Sequence, residues 1–299
     1  MRKVLSAVVL ATVLFSAVIG KEENKTKQEP ETVKTLIKSS GERTAKKIRE
    51  QKLQKIIKEA VSVYAEGNRI LLLLSHNKVE EAKKALKALK DRVDKLEKQY
   101  RGKFDRLPID VVVNEISGIT DMEQAKKLAE QVRKAIKDND FVQARILLQA
   151  LRNEIVIETV YLPIKLYKES IDLAYKFLEK GKVKNAISQL EVALNTVELE
   201  TTIIPEPIAI ASLLVEDASK KFKDNPQQAL KLLEEAKKQI RLAKILGYIR
   251  SDRDVEPLIK QVEKLEKEVR EKTGTKEKFR SLFENIEKFK ERTSTKSTK

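Results

Sequence analysis

The chain contains no cysteine, no tryptophan and only one histidine among its 299 residues. The lack of cysteine excludes disulfides, thiolate zinc sites, a cysteine nucleophile and a lipid anchor on cysteine. His76 stands between Ser75 and Asn77, without ligand-spaced acidic neighbours, so it reads as a solvated turn residue rather than a catalytic base or metal ligand. Glycine-rich phosphate loops are absent as well. We therefore expect no catalytic residue, no metal and no cofactor, and a protein that is not an enzyme.

Residues that break helices are also scarce. The chain has 8 glycines and 7 prolines, and aromatic residues make up 5% of it. The hydrophobic content of 41% is enough for a sizeable core, and helix-forming residues dominate. Many of the charged residues, 36% of the total, are lysine and glutamate interleaved as on solvated helix faces. The composition predicts an all-α fold with long helices.

The first twenty residues differ from the rest. Arg2 and Lys3 precede an uncharged, mostly apolar run at 4–19, and small residues stand before Lys21, as in an export signal. We expect residues 1–20 to be a cleaved signal peptide and the protein to be periplasmic; the alternative is an uncleaved anchor in the inner membrane. The net charge of +16 would suit nucleic acid, but export separates the protein from it, so we expect no nucleic-acid partner.

An internal repeat dominates the middle of the chain. Residues 138–164 match residues 180–207 at a shift of 42 without a gap, and each copy predicts helix, turn, helix and an extended stretch. The second helix of each hairpin opens with alanine and a leucine four positions later, which lie on one helix face and let helices approach closely. This pair recurs four times: Ala82 and Leu86, Ala144 and Leu148, Ala186 and Leu190, Ala229 and Leu233. We predict about four antiparallel helical hairpins, stacked side by side in a layout like that of tetratricopeptide repeats.

Three stretches between the hairpins, at 107–113, 155–164 and 197–204, are rich in β-branched residues and each has a proline within or just after it. They are short strands or crossing connectors, and we favour connectors. At the ends of the chain we expect a flexible lead at 21–43, a seam helix at 256–272 that starts at Pro257, and a basic amphipathic helix with a disordered tail at 273–299. The hairpin domain then spans residues 44–255.

Several separated motifs resemble the YfdX family of bacterial proteins over about residues 50–255. They are LPID at 107–110, EIVIET at 154–159 with LP at 162–163, ALNT at 193–196 with IPEP at 204–207, and LAKILGY at 242–248. The resemblance implies an exported, mostly helical and often oligomeric protein linked to stress responses, with chaperone-like or small-molecule-binding behaviour. It implies a homo-oligomer whose partners are unfolded envelope polypeptides or small molecules.

The repeat also places two polar pairs, Glu158 with Thr159 and Glu200 with Thr201, at equivalent positions inside apolar runs. We predict that both carboxylates face one groove, near Tyr161, that receives a cationic or polar ligand or a client polypeptide. The alternative is that these side chains hydrogen-bond loose backbone groups.

A second candidate surface is the apolar face of the final helix, formed by Phe279, Phe283, Ile286 and Phe289. Basic residues flank this face, so it suits an anionic membrane surface or a partner chain. The alternative is that the helix docks on its own domain. Two functions follow: a non-enzymatic, exported, stress-associated binding protein, or an envelope adaptor that uses its C-terminal helices.

Overall fold

The computed structural model describes residues 33–298, with side chains from residue 39 onward. The expected signal peptide and the first part of the flexible lead lie outside the described residues. Within them the chain forms eleven helices and four strands. The helices are α1 (Val33–Leu53), α2 (Lys58–Ser75), α3 (Val79–Tyr100), α4 (Met122–Lys137), α5 (Phe141–Ala150), α6 (Ile164–Glu179), α7 (Val183–Leu194), α8 (Glu206–Lys221), α9 (Pro226–Ile245), α10 (Asp252–Arg270) and α11 (Lys276–Thr293). The strands are β1 (Arg106–Ile116), β2 (Glu154–Pro163), β3 (Glu198–Pro205) and β4 (Thr295–Thr298).

Four antiparallel hairpins are present, as predicted: α2 with α3, α4 with α5, α6 with α7, and α8 with α9. Local chemistry fixes their turns. Asn77, Asn139 and Gly181 adopt left-handed backbone conformations with φ of 58°, 59° and 71°, which asparagine and glycine accept most readily at helix ends. Asp140 and Asn225 cap the helices that follow by accepting hydrogen bonds from backbone N–H groups. The prediction of a mostly helical fold is confirmed.

The hairpins do not pack in chain order. The first packs against the third, so that α2, α3, α6 and α7 enclose one core, which we call the first helical core. The fourth packs against α10 and α11 and encloses the second helical core. The second hairpin, α4 with α5, lies against α9. One strand of the sheet lies between each pair of successive hairpins, and neighbouring strands run antiparallel. Each strand therefore carries the chain to the opposite end of the sheet, so that alternate hairpins come to the same end.

A four-stranded antiparallel sheet in the order β1-β2-β3-β4 joins the two helical cores. Its buried residues, among them Val113, Ile155 and Ile157, form a sheet core with α1 and with Ala209 of α8. The stretches that we favoured as crossing connectors are therefore hydrogen-bonded strands. Pro163 and Pro205 do not disturb them because each is the last residue of its strand and the N-cap of the next helix.

Both ends of the described chain are more ordered than the sequence indicated. Residues 33–43, assigned to the flexible lead, belong to α1, where Ser40 and Thr44 are buried. Residues 295–298, assigned to the disordered tail, form β4 instead, because β3 offers unpaired backbone groups at its edge. The seam helix α10 starts at Asp252, capped by Ser251, so Pro257 lies inside the helix and does not start it.

No helix within residues 33–298 combines the length and the apolar character needed to cross a membrane.

Candidate functional site

The two carboxylates of the repeat lie on opposite faces of the sheet. Antiparallel pairing of β2 with β3 sets Glu158 opposite Thr201 and Thr159 opposite Glu200. Side chains alternate between faces along a strand, so neighbouring positions 158 and 159 point apart. The predicted groove shared by Glu158 and Glu200 is therefore wrong. The repeat equates Glu158 with Glu200, but the register pairs Glu158 with Thr201, so the two carboxylates are one position out of register and point to opposite faces.

The apolar face of the last helix is not exposed. Phe279, Ile286 and Phe289 are buried in the second helical core, and Phe283 is partly buried against it. Phe279 also contacts the Phe222 ring at a centroid distance of 4.8 Å. This helix docks on its own domain, because its apolar residues complete the core that α8, α9 and α10 leave open, and it presents no such face to a membrane or partner.

Part of the predicted site does line a cleft, which we call the lysine cleft. Thr159 and Tyr161 form its floor, and the end of α1, the loop after α3 and the start of β1 form its walls. It encloses about 810 Å³, enough for a small organic ligand or part of a peptide. The other lining residues are Lys52, Lys55, Ile57, Tyr100, Lys103, Phe104, Asp105, Arg106, Pro108 and Val111.

Arg106 is held firmly in the lysine cleft. Its guanidinium forms ion pairs with Glu198, at 3.0 Å, and with Glu200, and it lies 4.2 Å from the centroid of the Tyr161 ring. Burial raises the pKa of Tyr161, so its hydroxyl is protonated at neutral pH. Glu200, which we expected to contact ligand directly, instead neutralises and orients Arg106.

Three lysines of the cleft have no such partner. Among residues 39–298, Lys52, Lys55 and Lys103 form no ion pair with an acidic side chain. Lys52 is about half-buried, and its pKa is lowered mainly by that burial and then by repulsion from Lys55 and Lys296, while Glu200 acts in the opposite direction. The cleft thus has an excess of positive charge, which suits an anion better than the cationic ligand that we expected there.

Aromatic rings form the opposite wall. Tyr100 and Phe104 are in tilted contact at 6.1 Å, and Phe104 is 55% exposed. Together with Tyr161 they offer flat apolar surface beside the lysines. Sequence reasoning identified Tyr161 and Thr159 but missed Lys52, Arg106 and the Tyr100–Phe104 pair. Basic residues are too frequent, 62 in all, for any one of them to have stood out.

A separate buried polar cluster lies where α1, β1 and α8 meet. Glu206 is 3% exposed, and the Ser117 hydroxyl lies 2.9 Å from an oxygen of Glu206 and 2.9 Å from one of Glu115. Burial, reinforced by the hydrogen bond with Glu115, raises the pKa of Glu206 to about 8. Gly41 leaves room for the pair, since a Cβ there would lie 2.5 Å from Glu206 Oε1. This geometry suits a Glu206 carboxyl group that keeps its proton beside Glu115.

Residues 39–298 contain no group of three or more histidine or acidic side chains arranged to hold a metal ion. His76 lies exposed in the turn after α2, with its Nδ1 2.8 Å from the carbonyl oxygen of Leu72.

Comparison with known proteins gives one family match. Residues 63–202 match the family model described as YfdX protein. No curated protein sequence matches the chain. Among solved structures, Salmonella Typhi YfdX is similar at 10% identity and a TM-score of 0.34, over 49% of this chain and 90% of that one. The family match spans most of the first hairpin, all of the second and third hairpins, strands β1 and β2, and part of β3, so the resemblance to the YfdX family is confirmed for this segment.

Proposed function

We propose that the protein is an exported, non-enzymatic binding protein of the bacterial envelope, with a chaperone-like or ligand-binding role in stress. Its ligand site is the lysine cleft. The observation that supports this proposal most directly is the set of three lysines without acidic partners beside an aromatic wall. The resemblance to the YfdX family supports the envelope location and the link to stress.

The charge of the cleft determines the class of ligand that we propose. Partial burial of the Lys52 ammonium is unfavourable because no ion pair compensates for the lost hydration, and the ammonium groups of Lys55 and Lys296 repel it. An anion bound between these lysines would remove that repulsion, while an apolar or aromatic body would cover Tyr100, Phe104 and Tyr161. The ligand is therefore an amphipathic anion, either a small molecule or an acidic, aromatic segment of a polypeptide.

A fluorescence titration with anilinonaphthalene sulfonate tests the cleft, with phenylnaphthylamine as the comparison because it shares the aromatic body and lacks the sulfonate. We expect the double variant Lys52→Gln/Lys55→Gln to bind the sulfonate about tenfold more weakly, since two favourable charge contacts are lost. Binding of phenylnaphthylamine should be nearly unchanged. The matched control is Lys84→Gln/Lys87→Gln, which removes the same charge from the exposed face of α3. Equal weakening by both double variants would show that only net charge matters and would reject the cleft.

The chaperone-like part of the proposal has a further support in exposed apolar surface. Phe141, Val142 and Ile146 on α5 are 64%, 74% and 56% exposed, more than large apolar side chains usually are in a helix that flanks a core. Such a surface suits a non-native polypeptide. Light scattering from a heat-denaturing client, with and without the protein, tests this role. No suppression at several-fold excess of the protein would reject it.

The alternative is an envelope adaptor. Its original basis, an exposed face on the last helix, is lost, but the surface of α5 favours contact with a partner chain. Sedimentation with anionic and with neutral vesicles separates the membrane form of this alternative from the binding protein. The adaptor would be favoured if the protein sediments with anionic vesicles but not with neutral ones. Val142→Ser/Ile146→Ser should then abolish this sedimentation, and Lys52→Gln/Lys55→Gln should retain it.

A further inference from the structure

The C-terminal strand β4 is attached weakly to the sheet. It pairs with β3 over four positions, from Glu200 opposite Thr298 to Ile203 opposite Thr295, and all four of its side chains are exposed. By contrast, β1 and β2 pair over ten positions and bury large apolar residues. Backbone hydrogen bonds alone hold β4, with no side-chain burial to add to them.

The register also leaves part of β3 uncovered by the described residues of β4. Strand β3 has eight residues, and the pairing with residues 295–298 reaches only the stretch from Glu200 to Ile203. Because backbone N–H and C=O groups at a sheet edge need partners, β3 without β4 would present a template for another extended segment.

Lys296 makes β4 an imperfect occupant of this edge. It stands opposite Thr202, on the sheet face that carries the lysine cleft, and its charge repels the Lys52 ammonium. An extended segment with a neutral β-branched residue at this position would keep the same backbone hydrogen bonds and avoid the repulsion. Lys296 is therefore a side chain of β4 that opposes the attachment of its own strand.

We propose that the outer edge of β3 is a strand-addition site for an extended segment of a non-native polypeptide, and that β4 occupies this edge when no partner is bound. Strand addition uses main-chain hydrogen bonds for affinity, so it accepts many sequences. The polar, β-branched character of residues 295–298 indicates that the preferred segment is uncharged and rich in threonine, serine or valine. This inference rests on the polypeptide-binding part of the proposed function.

The absence of cysteine allows a direct test by a reversible cross-link. Thr201 and Ser297 are directly opposed across the β3–β4 pair, within the reach of a disulfide, so the variant Thr201→Cys/Ser297→Cys locks β4 in place when oxidised and frees it when reduced. The control is Val112→Cys/Glu158→Cys, which joins directly opposed residues of β1 and β2 away from that edge. Both are compared, oxidised and reduced, for binding of reduced, carboxymethylated α-lactalbumin, a permanently unfolded chain.

We expect oxidation of Thr201→Cys/Ser297→Cys to weaken binding by about tenfold or more, and oxidation of the control pair to leave it unchanged. In the cysteine-free protein, Lys296→Thr should also weaken client binding several-fold, because it removes the repulsion and holds β4 more firmly. Equal binding by locked and free protein would overturn the strand-addition site while leaving the chaperone-like role standing. If neither form binds, both fail. If the reduced Thr201→Cys/Ser297→Cys protein forms a dimer but binds no client, the proposed polypeptide occupant is overturned. The edge of β3 would then receive β4 from a second copy of the chain.

Discussion

Gly67 in the middle of α2 lies directly against Tyr167. The Tyr167 side chain is completely buried, and its hydroxyl donates a hydrogen bond of 2.9 Å to the carbonyl oxygen of Val63. A Cβ at residue 67 would lie 2.5 Å from that hydroxyl oxygen, which is closer than such atoms approach. The glycine therefore allows the first and third hairpins to approach closely, although glycine lowers the intrinsic stability of a helix.

Gly67→Ala should lower the free energy of unfolding by about 1–3 kcal/mol, despite the better helix propensity of alanine, because the core has no room for the methyl group. Tyr167→Phe alone should cost about 1 kcal/mol through the lost hydrogen bond. In the Tyr167→Phe background the cost of Gly67→Ala should be much smaller. Denaturant unfolding of the four proteins measures the coupling between the residues, and additive effects would contradict the proposed contact.

Glu206 makes the protein less stable as the pH rises from about 4.5 to 8. Its pKa in the folded protein, about 8, exceeds its ordinary value of 4.5. Below pH 4.5 the carboxyl group is protonated in both the folded and the unfolded protein, so it does not lower the free energy of unfolding. As the pH rises towards 8 the unfolded chain releases the proton while the folded protein keeps it, so stability falls across this interval.

Glu206→Gln should therefore raise the free energy of unfolding at pH 8, on the order of a few kcal/mol relative to its effect at pH 4. The amide keeps the shape of the protonated carboxyl and the contact with Ser117. Urea unfolding at several pH values between 4 and 8 measures the effect, with the exposed Glu191→Gln as control. A pH profile in which the variant parallels the unchanged protein would show that Glu206 does not retain a proton.

The elements that the sequence predicted well are those specified by nearby residues. Three of the four hairpins bury the alanine and the leucine on one helix face, whereas in the second hairpin Leu148 is 48% exposed. Turn residues such as Asn139 and Gly181 also mark the hairpins, and these signals all lie close together in the chain. Strands β2 and β3 were harder to recognise, because a β-branched run that ends in proline also suits a connector. Their pairing joins residues from Tyr161 with Glu198 to Glu154 with Pro205, which are distant in the chain, and local patterns do not encode it.

The candidate site shows the same limit. Thr159 stood out because it recurs in the repeat, and Tyr161 because it is an aromatic residue close to it; both do line the lysine cleft. Lys52 reaches the cleft from α1, more than a hundred positions earlier in the chain, and no local pattern distinguishes it from the other lysines. That Glu158 and Glu200 lie on opposite faces follows from the antiparallel register alone.

Helix α5 carries a prediction about self-association. Among the large side chains of its outer surface, Phe141, Val142 and Ile146 are mainly in water. We expect Val142→Lys/Ile146→Lys to leave the unfolding midpoint nearly unchanged, because exposed positions contribute little to folding, but to reduce the molar mass of any oligomer. Light scattering after size exclusion measures this, with Leu72→Lys, at a 58% exposed position of another helix, as control. An unchanged mass for both would place the contact elsewhere.

At the scale of the whole molecule, the sheet core is the link between the two helical cores. Strands β1 and β2 contribute Leu107 and Leu162 to the first helical core, and α8 contributes Ala209 to the sheet core and most of its other apolar residues to the second helical core. Because the sheet core shares these elements with both helical cores, loss of packing in the sheet should destabilise both helical cores.

Ile157, which is 1% exposed at the centre of the sheet core, tests this link. Ile157→Ala should lower the free energy of unfolding by about 2–5 kcal/mol, through lost burial and a cavity that the rigid sheet cannot close. If the sheet joins the two cores into one cooperative unit, amide hydrogen exchange should accelerate together in α6 and in α9, which lie in different helical cores. Leu190→Ala, within the first helical core, is the comparison and should accelerate the same two helices. Faster exchange in α6 alone for both variants would mean that the helical cores open independently and that the sheet transmits little stability between them.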